Sequence, residues 1–301
     1  MAQVAFLFPG QGAQTVGMGQ VLAEKYPAVR KLYDEASAVL GYDLAAVSWQ
    51  GPKEKLDTTV VSQPAILVAS LAALEAAREQ YPQAFTECTA AAGLSLGEYT
   101  ALVFAGALSP ADAVRLVKVR GEAMQAAADA TPSGMLAVLG PDAPQVAALC
   151  DQAREADVLQ IANFLCPGNT AASGNRAAID RLEKIAEASG AKTIRLAVAG
   201  AFHTPLMKPA DDKLKAALAN VAIQQPRVPV WSNVDAKPHT AADEIRGLLV
   251  RQVVEPVRME ELLRGLLAAG CDKFCEVGPG RVLAGLLKRV NRKIECVNVG
   301  A

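Results

Sequence analysis

The chain has only two histidines, His203 and His239, in 301 residues, and its six cysteines form no C-x-x-C pair. Structural zinc sites draw on such pairs or on several histidines, so a metal centre is not expected. Cys88, Cys150, Cys166, Cys271, Cys275 and Cys296 stand in apolar surroundings and read as reduced core thiols. An excess charge of either sign is also missing, because 30 Lys and Arg against 31 Asp and Glu leave a formal net charge of -1. Nucleic acid is therefore not expected as a partner. The longest apolar run, 65–74, carries Ser70 and stops at Glu75, well short of the roughly 20 residues of a bilayer span, so no membrane is expected either. The segment 4–8 reads as a first buried strand without a basic n-region or cleavage site, so the expected location is cytoplasmic. What remains is the composition of a soluble globular chain, 51% hydrophobic and 20% charged, long enough for about two domain-sized units.

Periodicity is clearest over 132–198. A strand is expected at 135–139, a helix at 143–155, strands at 158–163 and 170–173, a helix at 176–189 and a last strand at 193–198. The order βαββαβ is that of a ferredoxin-like unit, bounded by Thr131-Pro132-Ser133-Gly134 and Ala199-Gly200. Elsewhere helices alternate with short apolar strands at 4–8, 89–92, 228–231, 273–277 and 294–299, which predicts a parallel-sheet α/β domain. The small unit is then an insertion between two segments, 1–131 and 199–301, of one larger domain, with a cleft between the two.

Gly93-Leu94-Ser95-Leu96-Gly97 lies between the small-residue strand Ala90-Ala91-Ala92 and a helix opening at Glu98. The five-residue pattern alone is also found in ordinary turns, but a strand before it and a helix after it make a nucleophile elbow. Glycines on both sides let the backbone fold tightly around an exposed serine oxygen, and the following helix N-terminus offers free N–H groups to an oxyanion. Such a serine needs a base. His203, in Gly200-Ala201-Phe202-His203, begins where the inserted unit ends, whereas His239 reads as an exposed residue before a helix and is assigned no role. Arg120 falls on the stripe Ala113, Val117, Arg120, Met124, which spaces as one buried helix face. A guanidinium there needs an anion, either an acidic side chain or a substrate carboxylate. Phe8-Pro9-Gly10-Gln11-Gly12-Ala13-Gln14 lacks the Lys-Ser/Thr of a phosphate-binding loop, so its better use is to face Ser95, where the Gln11 and Leu96 N–H groups could form an oxyanion hole. Glu276-Val277-Gly278-Pro279-Gly280 lines the same sheet edge and reads as architectural, and no acid is placed to complete a conventional triad.

These segments, the elbow extended through Glu98-Tyr99, with Arg120-Gly121-Glu122-Ala123-Met124-Gln125 and Ser232-Asn233-Val234, occur in one order. The set closely resembles the malonyl-CoA:acyl carrier protein transacylases, and the likeness runs from Val4 almost to the C-terminus. The resemblance implies an α/β-hydrolase-like large domain with a ferredoxin-like insertion. It implies Ser95 as the acylated nucleophile, His203 as its base, Arg120 as the partner of the malonyl carboxylate, and Gln11 with Leu96 as oxyanion donors. It further implies that a main-chain carbonyl at Gln252 orients the histidine, and that Gln63 lines the acyl pocket. Phe202 resembles the aromatic residue of malonyl-selective relatives, where a serine accompanies methylmalonyl. Two positions depart from the common pattern: Leu94, where many members carry histidine, and Asn163-Phe164-Leu165-Cys166-Pro167-Gly168, which replaces a more polar Asn-x-Asn-Ser-Pro-Gly.

The expected reaction is a ping-pong transfer of malonyl from malonyl-CoA through Ser95 to the phosphopantetheine thiol of an acyl carrier protein, without a permanently bound cofactor. A serine esterase or thioesterase would use the same elbow with water as acceptor, and a non-catalytic acyl-binding protein would not need Ser95 or His203. For carrier docking the candidate surface is Lys184, Lys192, Arg195, Lys208, Lys213 and Lys215.

Overall fold

Eleven strands and the helices between them build two sheets, seen in a computed structural model that describes residues 2–300. They are β1 (Val4–Phe8), β2 (Cys88–Gly93), β3 (Ser133–Leu139), β4 (Leu159–Cys166), β5 (Asn169–Asn175), β6 (Lys192–Arg195), β7 (Val230–Trp231), β8 (Pro238–His239), β9 (Val257–Arg258), β10 (Lys273–Val277) and β11 (Glu295–Val299). The first sheet runs β11-β10-β1-β2-β7-β8 and is parallel except at its β7/β8 edge. All five residues of β1 are buried, which is why Val-Ala-Phe-Leu-Phe reads as an unbroken apolar run rather than an alternating one. Phe8 pairs with Gly93 at the ends of β1 and β2, so the loops that leave these two strands start side by side.

The second sheet runs β6-β3-β5-β4-β9, and its chain order is strand, helix Ala143–Arg154, two strands, helix Arg176–Ala188, strand. Leu136, Val138, Leu159 and Ile161 of its strands share a core with Val146, Cys150, Ile179 and Leu182 of its helices. The molecule is thus a mixed α/β fold with two sheets.

Several expectations need correcting. The second sheet is not confined to 132–198, because β9 joins β4 from a later part of the chain. β4 runs past the expected end at Asn163 to Cys166, with irregularities after Ile161 and Phe164, and Pro167-Gly168 make the turn to β5. β6 ends at Arg195, and the following three residues are not strand. His239 is half-buried rather than exposed, with Nε2 3.1 Å from Asp235 and Nδ1 3.2 Å from Glu244. The apolar run at 65–74 is the middle of a longer helix, Thr59–Gln80, which by length and composition could cross a membrane. It is 89% buried within the fold over its most apolar window, as a central core helix is. All six cysteines are free.

Candidate active site

Ser95 sits in the bend between β2 and the helix Gly97–Phe104 with φ at +50°, a left-handed conformation that costs a non-glycine residue about 1–2 kcal/mol. The flanking glycines have no room for a side chain. A Cβ on Gly93 would lie 1.9 Å from the carbonyl carbon of Gly97, and one on Gly97 would lie 2.1 Å from the Phe8 carbonyl oxygen. The loop after β1 presses backbone to backbone against this bend: Leu94 N–H donates to the Phe8 carbonyl at 3.0 Å, and a Cβ on Gly10 would meet the Leu94 oxygen at 2.3 Å. Gln11 is thereby carried to the elbow. Among the described residues, no protein acceptor engages the N–H of Gln11 or of Leu96, while the Gln11 side-chain amide donates to Thr59 Oγ1 at 3.5 Å.

The second sheet holds the histidine. Ser133 Oγ, at the start of β3, accepts from Ala201 N–H at 3.1 Å, and Gln160 of β4 donates to the His203 carbonyl at 3.2 Å. His203 also has a positive φ, +61°, so both halves of the proposed pair are held in strained backbone by the packing around them. Its Nε2 lies 2.9 Å from Ser95 Oγ, and its Nδ1 lies 2.7 Å from the main-chain carbonyl of Gln252. A carbonyl can only accept, so Nδ1 carries the hydrogen and Nε2 offers its lone pair to the serine hydroxyl. Burial, reinforced by the Arg120 charge, brings the imidazole down to about 4, which keeps it neutral near pH 7 with the Nε2 lone pair free to accept a proton.

Arg120 reaches the same hydroxyl from the helix Pro110–Ala130, whose stripe Ala113, Val117, Arg120 and Met124 is buried. Gly121 lets this helix approach Thr59–Gln80, since a Cβ there would already stand 3.0 Å from the Thr59 carbonyl oxygen. The guanidinium donates from Nη1 to Gln63 Oε1 at 2.7 Å, and from Nη2 to Ser95 Oγ at 2.9 Å and Gln252 Oε1 at 3.1 Å. Every one of these acceptors is neutral. The residue is 2% exposed, Nε has no hydrogen-bond partner, and among the described residues no carboxylate lies within ion-pair distance of it. Desolvation lowers its hold on the proton, Tyr99 and Glu98 raise it, and an arginine in such surroundings stays charged.

Two members of the site were not singled out from sequence. Asn233, just after β7, accepts from Ser95 N–H at 2.5 Å and donates to the Gly93 carbonyl at 2.7 Å, clamping the elbow across the bend. Glu98, 3% exposed, accepts at Oε2 from Asn233 N–H at 3.0 Å and from the Gln252 amide at 2.8 Å. Asn233 stands in the Ser-Asn-Val segment and Glu98 directly after the elbow in Gly-Leu-Ser-Leu-Gly-Glu-Tyr, but neither segment indicates what its polar side chain binds. Phe202 is buried in the main core beside His203 in sequence and makes no hydrogen bond to the network from its side chain. Glu276 caps the helix Val282–Val290, accepting from the N–H groups of Leu283 and Ala284 at 2.9 Å each, an architectural task. The candidate docking cations are all exposed, but two are already paired, Arg195 with Asp180 and Glu183 and Lys208 with Asp211 and Asp212. Among the described residues no group of three or more His, Cys, Asp or Glu side chains is placed to hold a metal ion.

Residues 5–299 match the model of the acyl transferase domain. The malonyl CoA-acyl carrier protein transacylase of Escherichia coli K12 is 45% identical over 291 residues, covering 96% of this chain and 93% of that protein. The structure of the malonyl CoA-acyl carrier protein transacylase from Coxiella burnetii superposes with a TM-score of 0.94 at 40% identity, covering 99% of this chain and 94% of that one. A malonyl-transacylase solved in complex with its type II polyketide acyl carrier protein gives the same TM-score at 39% identity, with 99% and 96% covered.

Proposed function

The chain belongs to the acyl transferase domain family, and from that premise we propose that it moves a malonyl group from malonyl-CoA to the phosphopantetheine thiol of an acyl carrier protein by way of a malonyl ester on Ser95. The observation that carries the substrate class is Arg120: a buried cation with only neutral direct partners, whose Nη2 lies 2.9 Å from the hydroxyl that would be acylated. An acyl group ending in a carboxylate supplies the missing anion, and the planar fork suits it. A hydrolase of neutral esters has no use for such a cation, which disfavours the esterase reading.

In this account Ser95 Oγ attacks the thioester carbonyl while His203 Nε2 takes its proton, and the collapse of the tetrahedral adduct releases the coenzyme A thiolate, which recovers that proton. The Gln11 and Leu96 N–H groups hold the oxyanion, and the Gln252 carbonyl keeps the imidazole in its reactive tautomer. The second half runs in reverse, with the carrier's thiol giving its proton to His203. Gln63 orients Arg120, and Phe202 fills space that an α-methyl would need, a steric preference worth roughly 1–3 kcal/mol. No cofactor is required, and the protein works as a soluble cytoplasmic enzyme. The βαββαβ order of the second sheet supports its reading as a ferredoxin-like insertion, 132–198, in an α/β-hydrolase-like domain made of 1–131 and 199–301, with β9 as an added outer strand.

The test is acceptor choice. Protein preloaded from malonyl-CoA is expected to pass the group to holo-acyl carrier protein far faster than to water, and prompt hydrolysis with no carrier product would support the thioesterase instead. The protonation state of His203 gives a second check. Because its folded value is depressed, the base is lost only as pH falls through about 4, so kcat/KM for acylation is expected to stay level from pH 7 to about 5. A fall centred near the ordinary histidine value of about 6.5 would contradict the buried, Arg120-biased imidazole. The same shift makes the fold less stable between about pH 6.5 and 4, where only the unfolded chain takes up the proton.

A further inference from the structure

Glu98 has no part in the chemistry above, yet it is a buried acid one side chain away from a buried base that lacks a direct counterion. Gln252 stands between the two. Its amide oxygen accepts from Arg120 Nη2 at 3.1 Å, and its amide nitrogen donates to Glu98 Oε2 at 2.8 Å and to the Ser95 carbonyl at 3.0 Å. This is the orientation that a cation on one side and an anion on the other would impose on an amide dipole. Both groups that touch Oε2, the Asn233 N–H and the Gln252 N–H, are donors, an arrangement that favours negative charge on that oxygen. Burial holds the Glu98 carboxyl above the ordinary carboxylate range, and the Asn233 N–H, the Gln252 amide, the Ser232 hydroxyl and the Arg120 charge offset part of that rise.

We propose that Glu98, acting through the side-chain amide of Gln252, is the counter-charge of Arg120 in the free protein, and that it limits how strongly the site prefers an acyl group ending in a carboxylate. Isolated buried charges are expensive, and a polarised amide between two of them lets each offset the other while leaving the guanidinium's remaining donors to the substrate. A bound malonyl carboxylate then meets Arg120 against the residual field of Glu98. Binding is weaker than a bare guanidinium would give, and the acyl group remains able to leave. Glu98 is a positioning residue in this scheme, and the inference rests on the malonyl-transfer reading.

The charge can be removed with little change of shape. Glu98→Gln keeps an oxygen to accept from Asn233 and Gln252. By the Coulomb energy of a charge pair one side chain apart at the effective dielectric of a protein, it is expected to raise the ratio of kcat/KM for malonyl-CoA over acetyl-CoA by about tenfold. Most of that rise should come from a lower KM for malonyl-CoA, with acetyl transfer little changed. An unchanged ratio, or an equal loss with both substrates, would overturn the proposal, because a purely structural role moves both together. Gln63→Glu provides an independent arm. It sets a carboxylate on Arg120 Nη1 and is expected to lower the same ratio, so a rise would also overturn the proposal. If the unaltered protein takes up no malonyl group at all, the functional reading fails first, and the inference goes with it.

Discussion

Ser95→Ala is expected to reduce malonyl transfer by a factor on the order of 10⁴ or more, to the level left by binding and oxyanion contacts alone. The size of the effect follows from the arrangement. One hydroxyl accepts from Arg120 Nη2 and lies 2.9 Å from the His203 lone pair, and no second nucleophile occupies the bend. The fold should survive, since Ser95 is only partly buried and its N–H bond to Asn233 does not use the side chain. Rapid-quench assays with malonyl-CoA, alongside circular dichroism of the variant, separate the two effects. A variant that folds and still transfers at a tenth of the original rate would contradict the role given to Ser95.

Arg120→Ala is the second large expectation. Removing one member of a buried, hydrogen-bonded charge arrangement typically costs about 2–5 kcal/mol, so malonyl kcat/KM should fall by roughly 30- to 5,000-fold. Acetyl-CoA carries no carboxylate to lose, so its turnover should fall much less, and the preference for malonyl should collapse. Part of the fall will reflect Glu98 and Gln252, which are left facing a cavity, and this makes the comparison between two substrates more informative than either rate alone. A parallel loss with both substrates would make Arg120 a structural residue of the elbow.

The parts of this site that were legible in sequence are those whose cause is local. Gly93 and Gly97 mark the bend because the contacts they permit, to each other and to Phe8, would be impossible for any side chain. Arg120 stood out because a charge on a regularly spaced apolar stripe breaks a 3.6-residue pattern. His203 stood out by scarcity. Glu98 and the role of Asn233 were hidden because their partners lie more than 130 residues away in the chain, Asn233 binding across to Gly93, Ser95 and Glu98, and nothing local distinguishes a buried first-turn glutamate from a solvated one. The strands β8 and β9, two residues each, are too short for any periodicity to reveal. Thr59–Gln80 escaped for the opposite reason: it is apolar on nearly every face, so it shows no stripe, and Pro64 sits within it. Composition does not tell which cations of the candidate docking surface are paired: Arg195 meets Asp180 and Glu183, and Lys208 meets Asp211 and Asp212.

The most direct measurement is the site of the acyl group. After brief exposure to malonyl-CoA, acid quench and proteolysis, the account predicts one malonyl addition per chain, found on the peptide that contains Ser95 and released when holo-acyl carrier protein is added before the quench. An unmodified Ser95 peptide, or a malonyl group on any other residue, would contradict it.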